Sequence, residues 1–84
     1  MQTSAHKEAS DKVNKAAAAC GAAQASWSAA ASALAGTVGT NGYGIFRERF
    51  ELRDKLASAR EHIDAALKTL DQIDWPTSAE YDQL

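Results

Sequence analysis

Few residues in this chain are of types that do chemistry, and they lie far apart. Cys20 is the single thiol, and His6 and His62 are the only imidazoles. A thiol nucleophile needs a base within hydrogen-bond reach and a third group that orients the base. Cys20 falls instead on a helical stripe between alanines, where the expected role is that of a small apolar packing residue. His62 falls off the corresponding stripe of the second half, near Glu61 and Asp64, and is expected to be solvated. One cysteine and two scattered histidines do not have the spacing of a zinc site. The carboxylates of the second half alternate with Arg and Lys rather than pairing, so general acid and base roles find no support. The sequence therefore predicts a protein that is not an enzyme, with no catalytic residue, no cofactor and no metal.

Anion binding is the next chemistry to weigh. Gly36, Gly39, Gly42 and Gly44 make a glycine-rich linker that feeds a helix and is followed by Arg47 and Arg49. Free amides at a helix N-terminus can hold a phosphate. The phosphate-loop ending in Gly-Lys-Ser/Thr is absent, no strand precedes the linker, and Gly42 and Gly44 lack a third glycine at the dinucleotide spacing. A flexible connection is the better reading, although nine residues exceed what a turn between helices needs. Its flanks hold the best candidates for binding another protein: an aromatic patch of Tyr43, Phe46 and Phe50, with Arg47, Arg49 and Arg53 beside it. Trp75 in the tail is a further candidate. It either packs across the end of the fold near Val13, the favoured expectation, or is presented to a partner.

The charge pattern narrows the partners. Net charge is −2 over 84 residues, with no basic excess of the kind that drives binding to nucleic acid. Arg47, Arg49, Arg53 and Arg60 are largely neutralised by Glu48, Glu51, Asp54, Glu61 and Asp64, so nucleic acid is not expected as a partner. Acidity is concentrated in the tail, at Asp74, Glu80 and Asp82. The long uncharged run over residues 16–46 is mostly Ala, Ser and Gly, too weakly apolar to cross a membrane. Lys12, Asn14 and Lys15 interrupt any lipoprotein-type signal ahead of Cys20. A cytoplasmic location is expected by default.

The elements that must carry these residues are helices. Val13, Ala16, Cys20, Ala23, Trp27, Ala30 and Leu34 recur alternately three and four apart, which places them on one helical face. Alanine has the highest helix propensity, so a helix is predicted over about residues 4–35, with Gly36 as its cap. Ile45, Leu52, Leu56, Ala59, Ile63, Ala66, Leu70 and Ile73 repeat the pattern, and Arg49 is the polar intruder at a core position. A second helix is predicted over about residues 45–73, stopped by Pro76. The glycine-rich turn then covers 36–44, and an acidic and aromatic tail covers 74–84, where Thr77 and Glu80 fit a capping box that could fold a short helical turn back.

Two helices of nearly equal length, roughly 45 Å each at 1.5 Å per residue, with one connection make an all-α antiparallel hairpin in a single domain. The large residues Val13, Cys20, Trp27 and Leu34 are expected to interleave with Leu70, Ile63, Leu56 and Leu52. A chain this short has a thin core, and without a disulfide or metal the remaining support is association. The first helix carries no charge on any face from Ala16 onward, whereas a solvated helix normally has a charged outer face. A homo-oligomer, with a dimer forming a four-helix bundle as the favoured form, is therefore expected.

The functional expectation is a non-enzymatic protein-interaction module that binds a partner protein, of the kind common among phage-encoded accessory factors and inhibitors of host proteins. The alternative is a structural subunit of a phage particle or secretion filament. Hairpins of similar size occur among secreted Trp-X-Gly proteins and type III secretion needle subunits. Here Trp27 lies inside the first helix rather than in the turn, and the turn has no proline, so the sequence is assigned to neither.

Overall fold

The computed structural model describes residues 3–83, and the regular secondary structure among them is entirely helical. Helix α1 runs over Ser4–Ala35, a short 3-10 turn over Tyr43–Ile45, α2 over Arg49–Asp71 and α3 over Ser78–Asp82. The two long helices pack side by side as an antiparallel hairpin, a rod whose backbone spans 58 × 18 × 13 Å.

Helix α1 starts on a capping box. Thr3 Oγ1 accepts the His6 amide at 3.2 Å, and the Thr3 amide donates to His6 Nδ1 at 3.0 Å. Histidine here fills the place usually held by Glu or Gln. The helix ends at Gly36, whose amide donates to the Ser32 carbonyl at 3.1 Å. Gly36 keeps right-handed backbone angles, so the left-handed stop that glycine permits comes later, at Gly39, Asn41 and Gly42.

The second helix differs from expectation at both ends. Residues 45–48 are not α-helical: they continue the 3-10 turn in a series of three-residue closures, such as Phe46 N to Tyr43 O and Glu48 N to Ile45 O. The aromatic segment is thereby coiled tightly at the tip and α2 begins only at Arg49. At the other end Gln72 caps the helix, and Ile73 lies beyond it.

The packing also corrects the expected interleaving. The buried residues are Ala9, Ala16, Ala23 and Ala30 on α1, each seven apart, and Ala59, Ala66 and Ile73 on the other side of the seam. Ala30 has no exposed surface at all. Val13, Cys20, Trp27 and Leu34, four residues further on, are exposed beside the seam, and Leu56, Ile63 and Leu70 stand likewise beside theirs. The cause is steric. Alanine every seventh residue on both helices lets the backbones approach closely, and a seam that tight has no volume for a Trp or a Leu. Cys20 is accordingly an exposed thiol rather than a core packer.

The open end of the hairpin is closed by the tail. Thr77 caps α3 by accepting the Glu80 amide at 3.2 Å, as its spacing suggested, and α3 turns back so that the Tyr81 ring lies 5.1 Å from that of His6. Ile73 and Pro76 are buried there, while Trp75, expected to pack near Val13, stays 54 % exposed. Lys12 of α1 donates to the Gln72 carbonyl at 2.9 Å, placing a cation at the C-terminus of α2, where the helix dipole favours it. Its second partner is Glu8 at 3.0 Å. On α2, Glu51 and Lys55, four residues apart, approach to 3.8 Å, whereas Asp64, four residues from both Arg60 and Lys68, reaches neither within bridging distance.

Candidate functional site

Two surfaces are built from residues that the hairpin does not need for its own seam. The first is one long side of the rod. In an antiparallel pair, the row four residues beyond the seam on one helix falls on the same side as the corresponding row of the other. Val13, Cys20, Trp27 and Leu34 from α1 thus share a side with Leu56, Ile63 and Leu70 from α2. The geometry agrees: Cys20 and Trp27 of α1 and Ile63 of α2 line one concavity of about 300 Å³. Trp27 is 57 % exposed and Ile63 47 %. The opposite side of the rod carries Glu8, Lys15, Ala22 and Ala29 with Glu51, Ser58, Ala65 and Gln72. Of the two rows that flank the seam, only one therefore carries bulky apolar residues, and α3 bounds that side at His6.

The second surface is the tip. Tyr43 is 82 % exposed, and Phe46 and Phe50 are more than half exposed. The Arg49 guanidinium is held between the two phenylalanines, 3.9 Å from the Phe46 ring centre and 4.5 Å from that of Phe50. It also donates to the Phe46 carbonyl. This explains the polar residue at an apolar position: Arg49 satisfies its charge against two ring faces and a carbonyl rather than in the seam. Tyr43, Gly44, Phe46, Arg47 and Glu48 line a concavity of about 490 Å³. Arg53, one turn along α2 from Arg49, points outward as an exposed side chain. Of the residues singled out in the sequence, Tyr43, Phe46, Arg47, Arg49 and Phe50 thus gather at the tip, with Arg53 beside them. Trp75 lies at the other end of the rod.

Five of the nine amides of the glycine-rich linker, those of Gly36, Thr37, Thr40, Tyr43 and Gly44, are committed within it or to the end of α1. Thr40 N bonds Thr37 O, Gly44 N bonds Thr40 Oγ1 at 3.1 Å, and Thr40 Oγ1 itself donates to Thr37 O at 2.7 Å. Cys20 has no hydrogen-bond partner among the described residues, and no three side chains of the His, Cys, Asp and Glu types converge there. His62 is half-buried on the seam rather than solvated.

The site that sequence reasoning missed is His6. It is 4 % exposed, its Nδ1 accepts from the Thr3 amide, and Thr3 Oγ1 lies 2.9 Å from the same nitrogen. Since an amide can only donate, the ring proton belongs on Nε2. That nitrogen is buried without a hydrogen-bond partner. The signal was a Thr three residues ahead of a ring acceptor, which is not a customary capping pair.

Among the described residues, no helix is long and apolar enough to cross a membrane. No protein-family model, curated protein or solved structure gives a significant match to this chain.

Proposed function

We propose that the chain is a non-enzymatic interaction module, which binds protein through the apolar side of the hairpin and presents the arginine-clamped aromatic tip as a second contact. The observation that carries this reading is the placement of the bulky apolar residues. The seam is closed by alanines, and Val13, Trp27, Leu34, Leu56, Ile63 and Leu70 are left partly exposed on one side. Continuous exposed apolar surface on a soluble fold marks an interaction site. Covering the remaining half of each large side chain contributes about 1 kcal/mol. The tip adds residue types, aromatic and Arg, that are enriched where binding energy concentrates.

The test is site-directed photo-crosslinking in extracts of cells that make the protein. A photoreactive residue replaces Ile63 on the apolar side or Ala65 on the opposite side. A discrete adduct at position 63, to another protein or to the chain itself, and none at 65 supports the reading. Absence of any adduct at 63, with the tip equally unreactive when Phe46 is replaced, removes it. An accessory or inhibitory role follows if the adduct is one defined host protein.

A further inference from the structure

We propose that the apolar side is covered by a second copy of the chain, laid antiparallel with its tip over the open end of the first, α1 on α1 and α2 on α2. The inference rests on the reading of that side as an interface and adds who occupies it.

The symmetry of the two rows is the first argument. On α1 the row Val13, Cys20, Trp27 is centred on Cys20, and on α2 the row Leu56, Ile63, Leu70 is centred on Ile63. These two centres stand at one level of the rod, since Cys20 and Ile63 line the same concavity. A two-fold axis across the rod at that level therefore superposes both rows on themselves at once, as an isologous interface requires. Trp27 then meets the small Val13 of the second copy, and Leu56 meets its Leu70. Bulk faces bulk on one helix, and large faces small on the other.

Charge is the second argument. The same axis brings Arg53, exposed near the tip, beside Asp74 of the second copy, exposed beyond the end of α2. It also brings each tail helix, which ends the face at His6, beside Leu34 of the other copy. The arrangement with both tips at one end instead lays α2 on the other copy's α1, which sets Arg49 over Leu34 and leaves Arg53 facing the uncharged upper half of that helix. Helix α1 carries no charge from Ala16 to its end, so α1 against α1 opposes no like charges over the upper half of the helix.

Area is the third argument. Between the two tail helices the overlap runs for about twenty residues, roughly 30 Å, on a rod 18 Å wide. That is roughly 550 Å² per copy and about 1,100 Å² in total, above the ~1,000 Å² that a specific interface needs.

The experiment uses the full chain. Light scattering across a size-exclusion peak, over a wide range of loading concentrations, should give twice the chain mass. A variant with Cys20→Ser, Arg53→Cys and Asp74→Cys should then be joined into covalent dimers by a short bis-maleimide. Positions 53 and 74 lie near opposite ends of α2, beyond the linker's reach within one chain. Conversion of most of the sample to covalent dimer, lost when either cysteine is omitted, is the expected result. A monomer at every concentration, growth beyond a dimer, or a dimer that the linker does not join overturns the proposal. A monomer that still gives a position-63 adduct with another protein overturns self-pairing and leaves the interaction reading standing.

Discussion

Tyr81 lays its ring 5.1 Å from that of His6, at 57° to it, so the last helix of the chain closes over the first turn of the first. The contact joins a capping box to a tail. His6 Nδ1 is bound to Thr3, its other nitrogen is buried, and the tilted ring pair fixes the plane of the imidazole. Tyr81→Ala should therefore loosen α3 selectively. The expected cost is about 0.5–1.5 kcal/mol from the ring pair beyond its area. Amide exchange should rise across α3 while the middle of α1 is unchanged. Nitrogen chemical shifts of the neutral His6 ring should report the proton on Nε2. The Nδ1–H form would contradict the hydrogen bond from the Thr3 amide.

The alanine seam predicts an inverted response to hydrophobic substitution. Ala23→Leu adds apolar volume at a 4 % exposed position where the facing helix leaves no room, so it should destabilise by about 1–3 kcal/mol. Ala25→Leu, on the exposed outer side, should stay within about 0.5 kcal/mol. Urea titrations of the two variants read the difference directly. Equal midpoints would mean that the helices are not packed on their alanines.

That seam also shows where the sequence stops being legible. Periodicity picks out a face about two rows wide, and Ala16 and Cys20, or Ala59 and Ile63, both belong to it. A rotation of each helix by less than half a turn of residues decides which row is inside. Burial energy argues for the large residues, close backbone approach argues for the alanines, and the period is the same for both. Helix existence, the antiparallel hairpin and the Thr77 cap were readable because each rests on local spacing. The 3-10 coil at residues 43–45 and the Arg49 clamp were not. They depend on how Gly42, Gly44 and the Thr37 side chain fit together in three dimensions. The aromatic tip itself was readable as a cluster in sequence, but Arg49 could be placed only once the rings on either side had positions.

Lys12 ties α1 to the end of α2, donating to the Gln72 carbonyl at 2.9 Å while pairing with Glu8. It sits on the seam side of α1 and is half-buried, so its stem packs while its ammonium reaches an orphan carbonyl. Lys12→Met keeps the stem and removes the charge. The expected loss is about 1 kcal/mol, with faster amide exchange in the last turn of α2, where the capping interaction is lost. Glu8→Gln, which weakens only the exposed ion pair, should cost less than about 0.5 kcal/mol. If the two variants were equally stable, the carbonyl contact would contribute nothing.

The linker separates two reasons for glycine. Gly42 has φ of +81°, which an L side chain adopts only at a cost of about 1–2 kcal/mol, so Gly42→Ala should destabilise by that much whatever surrounds it. Gly44 has ordinary backbone angles, but a Cβ there would lie 2.9 Å from Thr37 Cγ2, and Thr37 Cβ and Thr40 Oγ1 would each be 3.1 Å away. Its constraint is a neighbour rather than a dihedral. Thr37→Ser removes the methyl and keeps the hydroxyl that bonds the Leu34 carbonyl at 3.1 Å. Gly44→Ala should therefore be less destabilising in the Thr37→Ser background than in the native one, whereas Gly42→Ala should cost the same in both. A double-mutant cycle by thermal denaturation measures the coupling. A Gly44→Ala cost that ignored residue 37 would show that the crowding is relieved by movement of the linker instead.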